Sequence, residues 1–266
     1  TYQKIVERKH RMEIEIATER RRHPQPLLWK AIDFKNFGAG RNIRFGHLLG
    51  GNEWQIVVAQ NQRRVHRDAF AQISCLTAIG LDGHVLWQIG EPNAKEHALI
   101  TTDLPFQVCD IDGDGRDEVI TSRDFKLLIL DGATGKVKKW AYTPAIHDSV
   151  EYLNIGGVEM YPFDRLNVDA IRVCDLAGRG RPTDLIIKDR YRKIWAYDSN
   201  LHELWSHDAG VNTGHFPFTK DINGDGREEV YVGYDLLTAD GQKIWSLPID
   251  TDHTDEIVIG KIDPDR

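Results

Sequence analysis

A chain of 266 residues with a formal charge of -7 can hold one large β domain or two smaller ones, and it lacks the basic excess that nucleic acid selects. Hydrophobic content of 41% and charged content of 28% describe an ordinary soluble globular protein, and no apolar run approaches the ~18 residues of a membrane-spanning helix. No nucleic-acid or membrane partner is therefore expected, whereas an acidic polymer remains compatible with a local basic cleft.

Residues 1–22 read as a helix. Tyr2, Ile5, Met12 and Ile16 fall near one face among many charges, and Arg20-Arg21-Arg22 followed by Pro24 and Pro26 ends it. The first 35 residues thus form an N-terminal helix and linker, and residues 36–266 form the second part. No secretory leader is visible, so the compartment is not legible at this end. The cysteines, Cys75, Cys109 and Cys174, lie in apolar runs without zinc spacing and read as small buried hydrophobes.

From about Leu27 the pattern changes to short β runs broken by Gly, Asp and Asn. A unit recurs: an apolar strand, a turn, a β-branched strand, a third strand, an Asp-Gly or Asp-Ser turn, and a strand carrying Trp. The tryptophans Trp87, Trp140, Trp205 and Trp245 stand 53, 65 and 40 residues apart. Such units match four-stranded blades with loop insertions, and the indoles are expected to plug the gaps between blades. The fold class is all-β, a β-propeller preceded by a helix. The start of a further unit at Ile257–Ile262 predicts a piece of a propeller of about seven or eight blades.

The second unit carries Asp110-Ile-Asp112-Gly-Asp114-Gly-Arg116-Asp117-Glu118, and the fourth carries Asp221-Ile-Asn223-Gly-Asp225-Gly-Arg227-Glu228-Glu229. Carboxylates at alternate residues of a glycine-rich turn can converge on one hard cation, with the backbone carbonyl at the seventh position as a further oxygen. Ca²⁺ is the expected ion. Its ligands would be Asp110, Asp112, Asp114, Glu118 and the carbonyl of Arg116, then Asp221, Asn223, Asp225, Glu229 and the carbonyl of Arg227. Asp117 should point away. The third unit, from Asp175 to Asp184, has lost the pattern; Arg179 falls where Asp114 and Asp225 fall, and its guanidinium is expected to replace the cation. The hairpin Lys188, Arg190, Arg192 and Lys193 reads as solvated basic surface.

The two acidic turns resemble the FG-GAP-type calcium loops of integrin-like propellers. DINGDGREEV, ADGQKIW, DHTDEIVIG and IDPDR, in that order, resemble the rhamnogalacturonan lyase propellers and related β-propeller polysaccharide lyases. That family carries a His-x-Asp motif ten residues before an Asp-Pro-(Asp/Asn)-Arg turn; His253, Asp255 and Asp263 stand in those places here. The close match covers residues 212–266, the blade repeat covers 40–266, and the N-terminal helix is not covered. Thr254 departs from the Gly often found within the motif.

The resemblance implies β-elimination on a rhamnose- and uronate-containing polysaccharide, in a secreted or periplasmic protein. Such a reaction removes a proton next to a carboxylate, so it needs a base and a cation that neutralises the carboxylate. His253 and His215 are the candidate bases, and Arg172 and Arg44 the candidate neutralisers. Arg41, His147, Tyr152 and Asp255 are the candidate sugar-binding residues. The long insertion Ala145–Asn167 is the longest candidate functional loop. The alternative is a non-catalytic calcium-binding propeller that binds carbohydrate or protein.

Overall fold

The structure is a computed structural model. It describes residues 2–24, 26–38, 43–63, 71–93, 105–146, 163–189, 192–209 and 213–249, together with Thr254, Ile257 and Ile259. The chain divides into Thr1–Asp33 and Phe34–Arg266. The first unit is helix α1, Tyr2–Arg22, which buries none of its residues and ends in three arginines that complement the negative end of its dipole. No helix among the described residues is long and apolar enough to cross a membrane.

Among its described residues the second unit holds four four-stranded antiparallel sheets, each with its strands in chain order. The first contains β1 (Ile43–Gly46), β2 (Gln55–Arg63), β3 (Ala71–Gly80) and β4 (Val85–Gly90). The second contains β5 (Phe106–Cys109), β6 (Glu118–Arg123), β7 (Lys126–Leu130) and β8 (Val137–Tyr142). The third contains β9 (Ala170–Cys174), β10 (Asp184–Lys188), β11 (Lys193–Asp198) and β12 (Glu203–Asp208). The fourth contains β13 (Phe218–Lys220), β14 (Glu229–Val232), β15 (Asp235–Leu237) and β16 (Lys243–Ser246).

Strand periodicity explains why the sheets lie face to face in series. Successive residues point to opposite faces, and here both faces are covered. Val119 and Leu130 join Val57, Ala59 and Leu76 of the first sheet in one core, while Ile120, Leu127 and Ile129 join Ile171, Leu185 and Ile187 of the third sheet in another. Ile186, Ile194 and Ala196 then turn to Val230, Val232 and Leu237 of the fourth. Each buried aliphatic side chain contributes about 1.5–3 kcal/mol. Strand β10 is consequently buried throughout, whereas β8 and β12 alternate and β16 is exposed. The first strands lie side by side, β1 next to β5, β5 next to β9 and β9 next to β13, so the sheets are arranged as a propeller-like fan.

Adjacent sheets are also tied at their turns. Asp117 does point away from its own loop: its Oδ2 accepts the His47 amide (2.6 Å), and its own amide donates to the His47 carbonyl (3.2 Å). Glu228 repeats this with Asp175, accepting its amide at 2.9 Å and donating to its carbonyl at 3.0 Å. Between the second and third sheets the equivalent residue is Thr183, whose amide and hydroxyl are turned to its own sheet, donating to the Cys174 carbonyl (3.0 Å) and to Asp184 Oδ2 (3.2 Å). There the Arg181 guanidinium reaches back to the carbonyls of Asp110 and Ile111, both at 3.2 Å.

The tryptophans behave unequally. Trp87 donates its indole N–H to the Gly132 carbonyl of the next sheet (2.7 Å), and Trp205 donates to the Ala239 carbonyl (2.9 Å). The rings sit so close to Gly135 and Gly241 that a Cβ at either position would strike them. Trp140 does not plug the next gap. In the first, third and fourth sheets the residue before the bulge pairs with tryptophan: Ala78 with Trp87, Ala196 with Trp205, Leu236 with Trp245. In the second sheet that residue, Ile129, pairs with Lys139, so Trp140 is displaced by one position and faces the other side. The Lys139 ammonium takes the inter-sheet contact instead, donating to the Ser199 carbonyl (2.9 Å) and to Asn200 Oδ1 (2.7 Å). Trp245 has the plugging register, is 42% exposed and meets Tyr231 edge-on.

Trp87→Phe keeps a ring but removes the donor from a buried carbonyl. It is expected to cost about 1–2 kcal/mol in urea unfolding, whereas Trp140→Phe should change stability by less than about 0.5 kcal/mol. Equal losses would contradict the register difference.

Candidate functional site

Both acidic turns are organised by the same main-chain bonds. Asp110 accepts the amides of Gly113 (2.6 Å) and Gly115 (3.0 Å), and Asp221 accepts those of Gly224 (2.7 Å) and Gly226 (2.9 Å). Gly113 and Gly115 have φ of 83° and 86°, a region that disfavours any side chain. Glu118 accepts the Ile111 amide (3.1 Å), and Glu229 accepts the Ile222 amide (3.0 Å). Asp114 and Asp225 each accept the amide two residues on, from Arg116 (2.9 Å) and Arg227 (2.8 Å).

The third turn keeps this frame without the acidic string. Asp175 accepts the amides of Arg179 (2.8 Å) and Gly180 (2.6 Å), and Asp184 accepts those of Leu176 and Ala177. What satisfies Asp175 and Asp184 is therefore main chain, with the Thr183 hydroxyl also donating to Asp184 (3.2 Å), and not the guanidinium of Arg179. The first and last acids of the turn serve as caps for backbone donors, a role that needs no ion.

The middle acids differ between the two intact turns. One carboxylate oxygen each from Asp110, Asp112 and Glu118 lies within 4.8 Å of the others, a spacing that suits a hard cation. The Lys138 ammonium approaches the same group, at 2.5 Å from Asp112 Oδ2 and 2.8 Å from Glu118 Oε1. These bonds hold the Asp112 carboxyl below its usual range, whereas burial raises that of Glu118 despite the lysine. In the fourth-sheet turn the amide of Asn223 does the bridging, donating to Glu229 Oε1 (2.7 Å) and Asp225 Oδ2 (3.1 Å). An amide can turn its oxygen inward; a lysine can only leave. Both turns fit a calcium ion in donor chemistry, but the first already holds a positive charge.

The candidate arginines lie on a different feature, the row of first strands. Arg44 pairs with Val57, Gln107 with Ile120, Arg172 with Ile186 and Phe218 with Tyr231, so these four occupy one register position in successive sheets. Arg44 Nε donates to Gln107 Oε1 (3.1 Å), and Gln107 Nε2 donates to the Ile171 carbonyl (2.7 Å). Arg44 stacks over Phe106 at 5.3 Å, and Arg172 stacks over Phe218 at 5.2 Å. Burial lowers the Arg44 pKa. The row is half-buried, cationic at two places and braced sheet to sheet.

His215 lies just before β13, and its amide donates to the Thr254 carbonyl (3.1 Å). That bond links the entrance of the fourth sheet to the segment carrying His253 and Asp255. Those two residues, with Arg41, His147 and Tyr152, lie outside the described residues. The hydroxyl oxygens of Thr213 and Thr254 are buried at this entrance with no hydrogen-bond partner among the described residues.

Sequence reasoning missed two polar side-chain pairs, one fully buried and one half-buried. Lys188, read as solvated hairpin, is fully buried and donates to Asp169 Oδ2 (2.9 Å), which lies just ahead of β9. Its place at the end of the otherwise apolar run of β10 was the available signal. His207 Nε2 meets Asp235 Oδ2 across the third and fourth sheets at 2.8 Å. The cysteines are free, and burial pushes the Cys109 thiol up to about 12 and raises Cys75 and Cys174, so none is primed as a nucleophile.

No protein-family model matches the chain. Rhamnogalacturonan exolyase YesX of Bacillus subtilis (strain 168) is 24% identical over 264 residues, which are 83% of this chain and 42% of that protein. Rhamnogalacturonan endolyase YesW of the same organism is 24% identical over 269 residues, 83% of this chain and 41% of that protein. The chain thus spans less than half the length of these curated relatives. In structure it is similar to rhamnogalacturonan lyase YesW, with a TM-score of 0.64 at 22% identity, covering 85% of this chain and 45% of that one. A rhamnogalacturonan lyase of Bacillus licheniformis gives 0.62 at 22% identity over 85% and 44%. The chain therefore has rhamnogalacturonan lyase-like relatives and shares their fold over most of its own described sheets.

Proposed function

We propose that the chain is part of a polysaccharide lyase that cleaves a rhamnose- and uronate-containing acidic polysaccharide by β-elimination. The single observation that carries this is the similarity to two rhamnogalacturonan lyases over 83% of the chain. Its four sheets would belong to a closed propeller of about seven or eight blades. In this reading the first-strand row supplies the electrostatics. A guanidinium against the uronate carboxylate makes the adjacent C–H more acidic, because the charge that develops on proton removal is shared with a fixed cation. Arg44 and Arg172 are assigned that task.

The base takes the C5 proton, the C4–C5 double bond forms as the C4–O bond breaks, and the departing oxygen is protonated. His215 or His253 is assigned as base, and Arg41, His147, Tyr152 and Asp255 as sugar contacts. The similarity to these lyases supports a secreted or periplasmic protein. One feature favours the binding-only reading: Arg44 is already engaged by Gln107 and by the Ile43 carbonyl. The assay must therefore separate cleavage from binding. In the longest form of the protein that contains this chain, incubation with uronate polymers should raise the ultraviolet absorbance of unsaturated uronate. Arg44→Ala and Arg172→Ala should each lower the rate about 10²–10³-fold. Retained binding with no unsaturated product on any uronate polymer would leave a carbohydrate-binding propeller instead.

The same reading makes the intact turns calcium loops of the FG-GAP type with a structural role. Lys138 and the ion compete for Asp112 and Glu118, and so the two loops should differ. Chelator should lower the melting temperature and Ca²⁺ restore it. Lys138→Met should enlarge that calcium-dependent difference by several degrees, because its loss leaves Asp112 and Glu118 without a counter-charge, a change of about 1–3 kcal/mol. No response to chelator or Ca²⁺ in either protein would reject an ion at these loops.

A further inference from the structure

The register displacement in β8 does more than vacate an inter-sheet gap. It places Trp140 and Tyr142 on the opposite face of the second sheet, where they remain 53% and 54% exposed. Their rings meet edge to face with centroids 5.2 Å apart. At the register position of Trp140 the first, third and fourth sheets carry Gln88, Ser206 and Ser246. The aromatic pair is thus particular to this sheet.

Two cations flank it. The Lys126 ammonium stands 5.0 Å from the Trp140 centroid and 5.9 Å from that of Tyr142, and the Arg165 guanidinium stands 4.6 Å from Tyr142. Arg165 is anchored by donating to the Thr143 carbonyl (2.7 Å), so its position is set by the fold. Among the described residues, Lys126 faces only rings and pairs with no carboxylate. Packing needs alone do not account for this arrangement: burying the rings would stabilise the fold, and leaving them half-exposed beside two cations does not.

We infer that Trp140, Tyr142, Lys126 and Arg165 form a surface site for an acidic sugar, separate from the row of first strands. The C–H face of a pyranose lies against the exposed indole, as apolar faces do on aromatic rings, while the uronate carboxylate is met by Lys126, with the anchored Arg165 adding positive charge beside Tyr142. A neutral sugar can satisfy only the first contact. The site holds polymer without reacting with it and raises its local concentration at the protein. The choice of an acidic sugar rests on the proposed lyase reading; the existence of the site rests on the β8 register and the exposed rings.

Affinity electrophoresis through gels containing pectic rhamnogalacturonan, or a neutral galactan as control, tests this on the folded protein. Trp140→Ala, Tyr142→Ala and Lys126→Gln should each weaken retardation by the acidic polymer about tenfold, and unfolding midpoints should change little. With a short soluble uronate oligosaccharide the cleavage rate should be the same in all three variants and wild type. Retardation by the acidic polymer unchanged in the variants would overturn the inference, as would equal retardation by the neutral galactan. A large drop in unfolding midpoint with binding intact would also overturn it, by showing the rings to be packing residues. Should no polymer be cleaved while the three variants still lose binding, the lyase reading falls and this site stands.

Discussion

Carboxylates that accept main-chain amides hold this molecule together at its turns. Asp110, Asp175 and Asp221 each close a turn by accepting two amides from within it. Asp117 and Glu228 then each bridge to the turn of the preceding sheet. Each such bond contributes about 0.5–1.5 kcal/mol and restrains a stretch of chain that no ladder reaches. Everything on the first strands, including the arginine row, is positioned by where those turns place the strand ends.

The sheets follow from a simpler rule. Residues in the middle strands alternate between two cores, which is why Val119 packs toward the first sheet and Ile120 toward the third. A sandwich would give two faces and one core; here successive cores run in series. Trp140 follows Leu130 by ten residues, where Trp87, Trp205 and Trp245 follow Ile79, Tyr197 and Leu237 by eight; the turn takes up one of the two extra residues, and the other leaves Trp140 displaced by one position. That displacement exchanges an indole for a lysine in the inter-sheet gap and turns two aromatic rings outward. One local irregularity thus connects the packing of the fold to the surface that we assign to acidic sugar.

Much of this was legible because it is local. The Asp-x-Asp-Gly spacing announces a tight turn, and the turns appear where the spacing put them. The direction of Asp117 followed from alternation along an emerging strand. Trp87 and Trp205 could be read as plugs because their sheets share a register. Trp140 could not: the bulge recurs in all four sheets, and the face this tryptophan takes depends on how many of the extra residues ahead of it the turn absorbs, which the sequence does not show. Lys188 looked like surface because its partner, Asp169, stands nineteen residues earlier, just ahead of another strand, and nothing local marks the pair. The reach of Arg181 to the Asp110 carbonyl is a contact between sheets, as is that of Arg227 Nε to the Leu176 carbonyl at 2.7 Å. The candidate bases were the least legible, because a base is defined by what faces it across a cleft.

The account rests on the turn acids as ties between sheets, and amide hydrogen exchange measures this most directly. The amides of His47 and Asp175 lie outside the strand ladders, and among the described residues their acceptors are the carboxylates of Asp117 and Glu228. Both should exchange as slowly as the neighbouring strand amides, and Glu228→Ala should speed exchange at Asp175 while leaving His47 unchanged. Exchange of either amide at the rate of an open turn in the unmodified protein would contradict the account.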